Sequence, residues 1–148
     1  MRTHPRLFIT TFALAAGMSL AGCETIGDTV GEGMAATLSG AEEVPGPGDP
    51  DGSGSAEITI VDRTDNLCYE VAVKGIEPAT AAHIHRGAPG RSGPPVITLD
   101  APTDGESNGC LSVASELVDE IGANPRNFYV NVHNAPFPNG AVRGQLGR

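Results

Sequence analysis

The sequence is poor in basic residues. Nine Lys and Arg stand against eighteen Asp and Glu among 148 residues, which gives a formal net charge of −9 at pH 7. Nucleic-acid binding depends on Lys and Arg that displace counterions from the phosphates, so this charge balance argues against a nucleic-acid partner. The chain also lacks a reactive cysteine and a recognisable pair of catalytic carboxylates. These absences predict a protein without enzymatic activity.

Long helices and βαβ spacing are missing as well. Twenty Gly and twelve Pro make up about a fifth of the chain, roughly twice the average share. Hydrophobic residues at 39% with charged residues at 18% still suffice for one buried core, so the composition does not indicate disorder. What remains is a small, acidic, all-β domain.

Short apolar segments alternate with turn clusters at strand-like spacing. Residues 56–60 show a clean period of two, with one apolar and one polar face. Residues 45–55 contain nothing to bury and are predicted to be a loop, and at most one short helix is expected near 114–121. The sequence therefore predicts an antiparallel Greek-key β-sandwich with about eight strands. The predicted strands are Met34–Ser39, Ala56–Asp62, Leu67–Lys74, Ala81–His85, Val96–Leu99, Gly109–Val113, Phe128–His133 and Ala141–Leu146.

The amino terminus has the pattern of an export signal. A basic start is followed by an apolar run that is too short for a stable membrane span. The run ends in Leu20-Ala-Gly-Cys23, which resembles the bacterial lipobox. This predicts a signal peptide over 1–22, a lipidated Cys23 that anchors the protein to the cell envelope, a tether over 23–33 and a domain over 34–148. The alternative is an ordinary signal peptide whose cleavage site contains a cysteine. Because Glu24 rather than Asp follows Cys23, the outer membrane is favoured if the organism is Gram-negative.

Two cysteines remain after Cys23. Cys68 and Cys110 both lie opposite the apolar residues of their strands, as a bridge between strands requires. An even number of cysteines in an exported chain predicts a disulfide. The alternative is a Cys–His metal site.

Three histidines lie outside the signal segment. His83 and His85 are two residues apart and share one strand face, and His133 lies opposite the apolar Phe128, Val130 and Val132 of its own strand. If the two strands are neighbours, the three imidazoles converge. Three neutral imidazoles suit copper or zinc and leave one coordination position open. The alternative is a structural or pH-sensitive polar cluster.

Four arginines lie within a few residues of these histidine motifs: Arg86, Arg91, Arg126 and Arg143. They form a candidate anion-binding patch in the less acidic half of the chain. The alternation along the last strand predicts that Arg143 points outward and pairs with an acid on the neighbouring strand.

Three motifs, in this order, resemble those of the CHRD domain, which was described from the extracellular protein chordin. They are Leu38-Ser-Gly-Ala-Glu-Glu-Val-Pro45, Ala81-Ala-His-Ile-His-Arg-Gly-Ala-Pro-Gly90 with Gly93-Pro-Pro-Val96, and Phe128–His133 with Phe137-Pro-Asn-Gly-Ala-Val-Arg-Gly-Gln-Leu146. The resemblance covers residues 34–147 and implies a β-sandwich at an extracellular or envelope location. The family has no generally established biochemical activity. The first interpretation is therefore a lipid-anchored, non-enzymatic module that binds an unknown protein partner, and the alternative is a mononuclear copper or zinc protein.

A more distant similarity is to Cu/Zn superoxide dismutase, another Greek-key sandwich with a His-x-His strand. His83, His85 and His133 would match copper ligands of that enzyme. The chain has no histidine left for a bridging ligand or a zinc subsite, so a complete dismutase site is excluded and a mononuclear site is not.

Overall fold

The computed structural model describes residues 31–61 and 65–148. Cys23, the predicted signal peptide and most of the predicted tether lie outside these residues. Within them, no helix is long and apolar enough to cross a membrane. The described elements are β1 (Glu32–Ser39), β2 (Ser53–Val61), β3 (Asn66–Lys74), β4 (Ala79–Arg86), β5 (Pro95–Leu99), β6 (Glu106–Ser112), α1 (Ser115–Ala123), β7 (Phe128–Asn134) and β8 (Val142–Gln145).

The eight strands form one antiparallel sheet with the order β5-β4-β7-β8-β1-β2-β3-β6. Its two edge strands meet across a seam, where Ser107 Oγ of β6 donates to the carbonyl of Asp100, the residue after β5, at 2.8 Å. Tyr69 Oη of β3 also accepts from the Asp100 amide at 3.1 Å. The sheet is therefore a nearly closed barrel, and β4 to β7 have the spatial order 7-4-5-6 of a Greek key. The predicted all-β fold is confirmed.

The core lies inside this barrel because each strand buries alternate side chains. On β7, Phe128, Val130 and Val132 are completely buried, and so are Ala82 and Ile84 on β4. Among the described residues, α1 is the one α-helix; it falls close to the predicted 114–121 and adds two further side chains, Val118 and Ile121, to the core.

Several strands extend beyond their predicted ends. β2 begins at Ser53, so the predicted loop over 45–55 is wrong for its last three residues: Gly54 pairs with Leu38 on one side and with Val73 on the other. In the same way, β1 begins two residues before the predicted domain boundary and β6 begins at Glu106. The ladder joins backbone groups, so polar residues and glycine can extend a strand without burying a side chain.

The predicted disulfide is confirmed. Cys68 of β3 and Cys110 of β6 are directly opposite one another in the ladder, and their sulfur atoms are bonded. Both side chains lie on the outer face of the barrel, as their sequence parity predicted. A disulfide of this kind indicates an extracytoplasmic protein, since the cytosol keeps thiols reduced.

Candidate metal centre

The histidine-bearing strands β4 and β7 are neighbours in the sheet. Their register places Ala81 opposite His133 and His83 opposite Asn131. His83, His85 and His133 all leave the sheet on the face away from the core, because the residues that alternate with them are buried inside the barrel. The sequence predicted that the three imidazoles converge if these two strands are neighbours, and the structure confirms this.

The three imidazoles form one compact cluster. Nδ1 of His83 lies 3.2 Å from Nε2 of His133. The ring centroid of His83 lies 5.5 Å from that of His85 and 5.1 Å from that of His133. One nitrogen from each residue can be chosen so that all three lie within 4.8 Å of one another. Among the described residues, this is the group of His, Cys, Asp and Glu side chains that could hold a metal ion.

Backbone carbonyls orient two of the rings. His85 Nδ1 lies 2.9 Å from the carbonyl of Gly93, and His133 Nδ1 lies 3.1 Å from the carbonyl of Pro138. A carbonyl oxygen only accepts hydrogen bonds, so both Nδ1 atoms carry a proton. Each neutral ring therefore presents the lone pair of its Nε2 atom to the cluster. Such outer hydrogen bonds commonly fix the tautomer of a metal-binding histidine.

Electrostatics keeps the cluster neutral. Burial lowers the pKa of His83, His85 and His133 below the ordinary value of 6.5. The carbonyl hydrogen bonds partly oppose this for His85 and His133. The charges of His83 and Arg143 lower the pKa of His85 further, and those of His83 and His85 lower the pKa of His133 further. A lowered pKa favours the neutral imidazole at pH 7, which is the form that binds a metal ion.

The geometry fits a transition-metal ion. Nitrogen ligands lie 2.0–2.1 Å from zinc, so two ligands of a tetrahedral site are about 3.3 Å apart, close to the 3.2 Å between His83 Nδ1 and His133 Nε2. The Nε2 atom of His85 is buried and has no hydrogen-bond partner among the described residues. A buried unpaired nitrogen is costly unless a ligand satisfies it. A metal ion bound to His85 Nε2 would satisfy this atom.

A second polar cluster lies beside the histidines, and sequence reasoning missed it. Both carboxyl oxygens of Glu43 accept from Nδ2 of Asn131, at 2.9 and 2.8 Å. Asn131 Oδ1 and Arg143 Nη1 are buried without a partner among the described residues, like Nε2 of His85. The signals available were the position of Glu43 within the Leu38–Pro45 motif and the shared face of Asn131 and His133.

The prediction for Arg143 needs correction. Its side chain does leave the sheet on the outer face, but only 2% of it is exposed. It does not pair with an acid of the neighbouring strand: Nη2 donates to the carbonyl of Arg91 at 2.8 Å, and the guanidinium lies 3.4 Å from the ring centroid of Tyr129. The loop after β4 covers this face, and the alternation of residues along a strand carries no information about such a cover.

The other predicted anion-patch residues are differently engaged. Arg86 forms an ion pair with Glu120 of α1 at 2.6 Å, and its guanidinium also lies over the ring of Phe128. Arg91 and Arg126 are exposed. Two of the four guanidinium groups, those of Arg86 and Arg143, therefore already have partners within the protein.

Comparison with known protein families matches residues 34–146 to the CHRD domain. This covers the whole barrel from the third residue of β1 to the end of β8. The chain belongs to the CHRD domain family. No curated protein and no solved structure matches the chain, so the comparisons do not show the predicted likeness to Cu/Zn superoxide dismutase. The three motifs named above contribute Glu43 and all three histidines to the CHRD domain.

Proposed function

We propose that this CHRD protein is a non-enzymatic metal-binding module of the cell envelope, which holds one copper or zinc ion through His83, His85 and His133. The observation that carries the proposal is the convergence of three neutral imidazoles whose ligand nitrogens lie within 4.8 Å of one another. The family relationship by itself supports only a domain of unknown function. No contact among the described residues favours a particular protein partner.

The hydrogen bonds define the expected ligand set. His85 and His133 use Nε2, since their Nδ1 atoms donate to the carbonyls of Gly93 and Pro138. His83 uses Nδ1, because that atom faces Nε2 of His133 across 3.2 Å. Binding therefore replaces the hydrogen bond between these two rings, and the His83 proton resides on Nε2 once the ion is bound.

Three imidazoles leave one position for water or another small ligand. This donor set suits Cu(II) and Zn(II), which both bind imidazole strongly. Apart from His4 in the predicted signal peptide, the chain has no further histidine, so the expected site is mononuclear. The chain has one Gly-x-Ser-x-Gly stretch, Gly105–Gly109, but its Ser107 lies within strand β6 and donates to the carbonyl of Asp100. We therefore expect metal binding or metal handling rather than turnover.

The site is tested by metal titration of the protein purified without a histidine tag. We expect one equivalent of Cu(II) or Zn(II) to bind with a dissociation constant in the micromolar range or below, and the triple variant His83→Ala/His85→Ala/His133→Ala to lose this binding. Thr98→Ala is the matched control, since exposed Thr98 of β5 lies opposite His83 in the ladder. Absence of binding to the wild-type protein, or its retention in the triple variant, would refute the proposal.

Lipid anchoring through Cys23 is a separate part of the proposal, supported by the lipobox-like sequence and the disulfide. Two or three acyl chains hold a protein stably on a membrane. In a bacterial host that is fed a labelled fatty acid, the wild-type chain should incorporate the label and Cys23→Ser should not. A Cys23→Ser chain that is still labelled would contradict the anchor and leave the metal site unaffected.

A further inference from the structure

Tyr129 of β7 is packed directly against a predicted metal ligand. Its ring stacks on the His85 imidazole, with centroids 4.9 Å apart and planes inclined by 14°. Only 3% of Tyr129 is exposed. The two residues are directly opposite in the ladder between β4 and β7. The stacking therefore limits rotation of the His85 ring about its side-chain bonds.

The hydroxyl of Tyr129 holds the carbonyl that orients His85. It accepts from the amide of Gly93 at 3.1 Å and lies 3.3 Å from the Gly93 carbonyl. The same carbonyl accepts from His85 Nδ1 at 2.9 Å. Tyr129 thus acts on His85 in two ways. Its ring stacks directly on the imidazole, and its hydroxyl bonds to Gly93, which in turn accepts from His85 Nδ1.

The loop between β4 and β5 is built around this tyrosine. A Cβ atom on Gly87 would lie 2.9 Å from the Tyr129 ring, and one on Gly93 would lie 1.7 Å from the carbonyl of Arg86. Glycine at both positions lets the loop approach the strand face closely. Arg143 lies over the Tyr129 ring and donates to the carbonyl of Arg91 in the same loop. The ring therefore packs against both the ligand and the loop that covers it.

We propose that Tyr129 is the positioning residue of the metal site: by stacking on His85 and holding Gly93, it fixes His85 as an Nε2 donor. This inference rests on the proposed metal-binding function. It predicts that the phenol hydroxyl acts on the tautomer of His85, which a purely structural role in packing the barrel would not do. Outer-shell partners of this kind are worth 10–100-fold in metal affinity.

Tyr129→Phe tests the hydroxyl while keeping the stacked ring. Tyr69→Phe is the matched control, because Tyr69 is also buried and its hydroxyl also bonds to a backbone amide, that of Asp100 at the seam. The first measurement is long-range ¹H–¹⁵N NMR of the metal-free full chain in detergent. We expect a single Nδ1-protonated tautomer of His85 in the wild type and in Tyr69→Phe, and a mixture of tautomers in Tyr129→Phe.

The second measurement is the affinity of the same three proteins for Cu(II) alone, together with the electron paramagnetic resonance spectrum of the bound ion. Tyr129→Phe should bind about tenfold more weakly and give an altered spectrum, while Tyr69→Phe should match the wild type within about twofold. Each variant loses one buried hydroxyl that bonds to a backbone amide, so the control separates positioning of the ligand from a general loss of stability.

The two measurements distinguish failure of this inference from failure of the proposed function. An unchanged His85 tautomer, or an unchanged Cu(II) affinity and spectrum in Tyr129→Phe, would overturn the positioning role. Equal losses of affinity in Tyr129→Phe and Tyr69→Phe would overturn it as well. A wild-type protein that binds no Cu(II) would refute the proposed function, even where the tautomer of His85 depends on Tyr129.

Discussion

At the scale of single residues, Glu43 is the least expected feature of the CHRD domain. Only 6% of its side chain is exposed, and burial raises its pKa from 4.5 to about 7 despite the hydrogen bonds from Asn131 and the nearby charge of Arg143. The folded state therefore prefers the protonated carboxyl, whereas the unfolded chain releases its proton at lower pH. The contribution of Glu43 to stability is fully present below pH 4.5 and is lost as the pH rises towards 7.

Glu43→Gln should remove this pH dependence, because the amide is uncharged at every pH. In urea unfolding of the metal-free protein, the free energy of unfolding of the wild type should fall relative to that of Glu43→Gln between pH 5 and pH 7.5. Glu57→Gln, at an exposed position of β2, is the control and should follow the wild-type profile. Parallel profiles for wild type and Glu43→Gln would show that burial does not raise this pKa.

The residue scale also shows how much of the site could be predicted. Alternation along each strand placed the three histidines and both bridge cysteines on the outer face correctly, because the side-chain period of a strand is two. The contacts of Arg143 could not be predicted, since a loop distant in sequence covers that face. The hydrogen bonds to Gly93 and Pro138 likewise depend on loop conformations that alternation does not determine.

At the scale of elements, the close packing of β8 against β1 depends on Gly144. A Cβ atom there would lie 2.2 Å from the carbonyl of Thr37 and 2.8 Å from Cδ2 of Leu38. The two strands therefore approach one another closely at this glycine. Backbone atoms cannot move aside cheaply, so a larger residue has to push the strands apart.

Gly144→Ala should therefore destabilise the domain by about 1–3 kcal/mol, measured as the change in the urea midpoint at constant slope. Gly33→Ala is the matched control. Gly33 lies in β1, and a Cβ atom there would contact nothing within 4 Å, so this variant should be neutral or slightly stabilising. Equal stability of the two variants would contradict the close packing of β8.

The elements themselves were largely predictable. The eight strands and the α-helix of the described residues were expected, and the disagreement lies at their ends, as in β2 and β6. These ends contain glycine and polar residues such as Gly54, Ser107 and Asn108, whose ladder hydrogen bonds leave no hydrophobic pattern. Such strand ends can be located only when the neighbouring strand that they pair with is known.

At the scale of the whole molecule, the sheet order connects the fold to the site. β4 and β7 are separated along the chain by β5, β6 and α1, yet they are adjacent in the sheet. The long connection from β6 to β7 brings His133 to the strand of His83 and His85. Sequence alternation determines the face of each strand, but only the topology determines which faces join. The sequence alone therefore could not decide between a metal site and a structural or pH-sensitive polar cluster.

The same scale explains the acidic charge. Most of the acidic side chains whose exposure the structure describes lie in solvent, whereas the histidine cluster is partly buried and its lowered pKa values favour the neutral form. An acidic surface keeps the protein soluble and adds no basic patch that would compete with a metal cation. The charge and the site are therefore compatible with one cation-binding domain.

The central claim is that three imidazoles hold one ion, and X-ray absorption spectroscopy of the protein loaded with one equivalent of Zn(II) tests it most directly. The account predicts three imidazole nitrogens at about 2.0–2.1 Å and one further light ligand, with fewer imidazoles in each single His→Ala variant. Fewer than three imidazoles in the wild type, or a spectrum unchanged by His83→Ala, His85→Ala and His133→Ala, would contradict it.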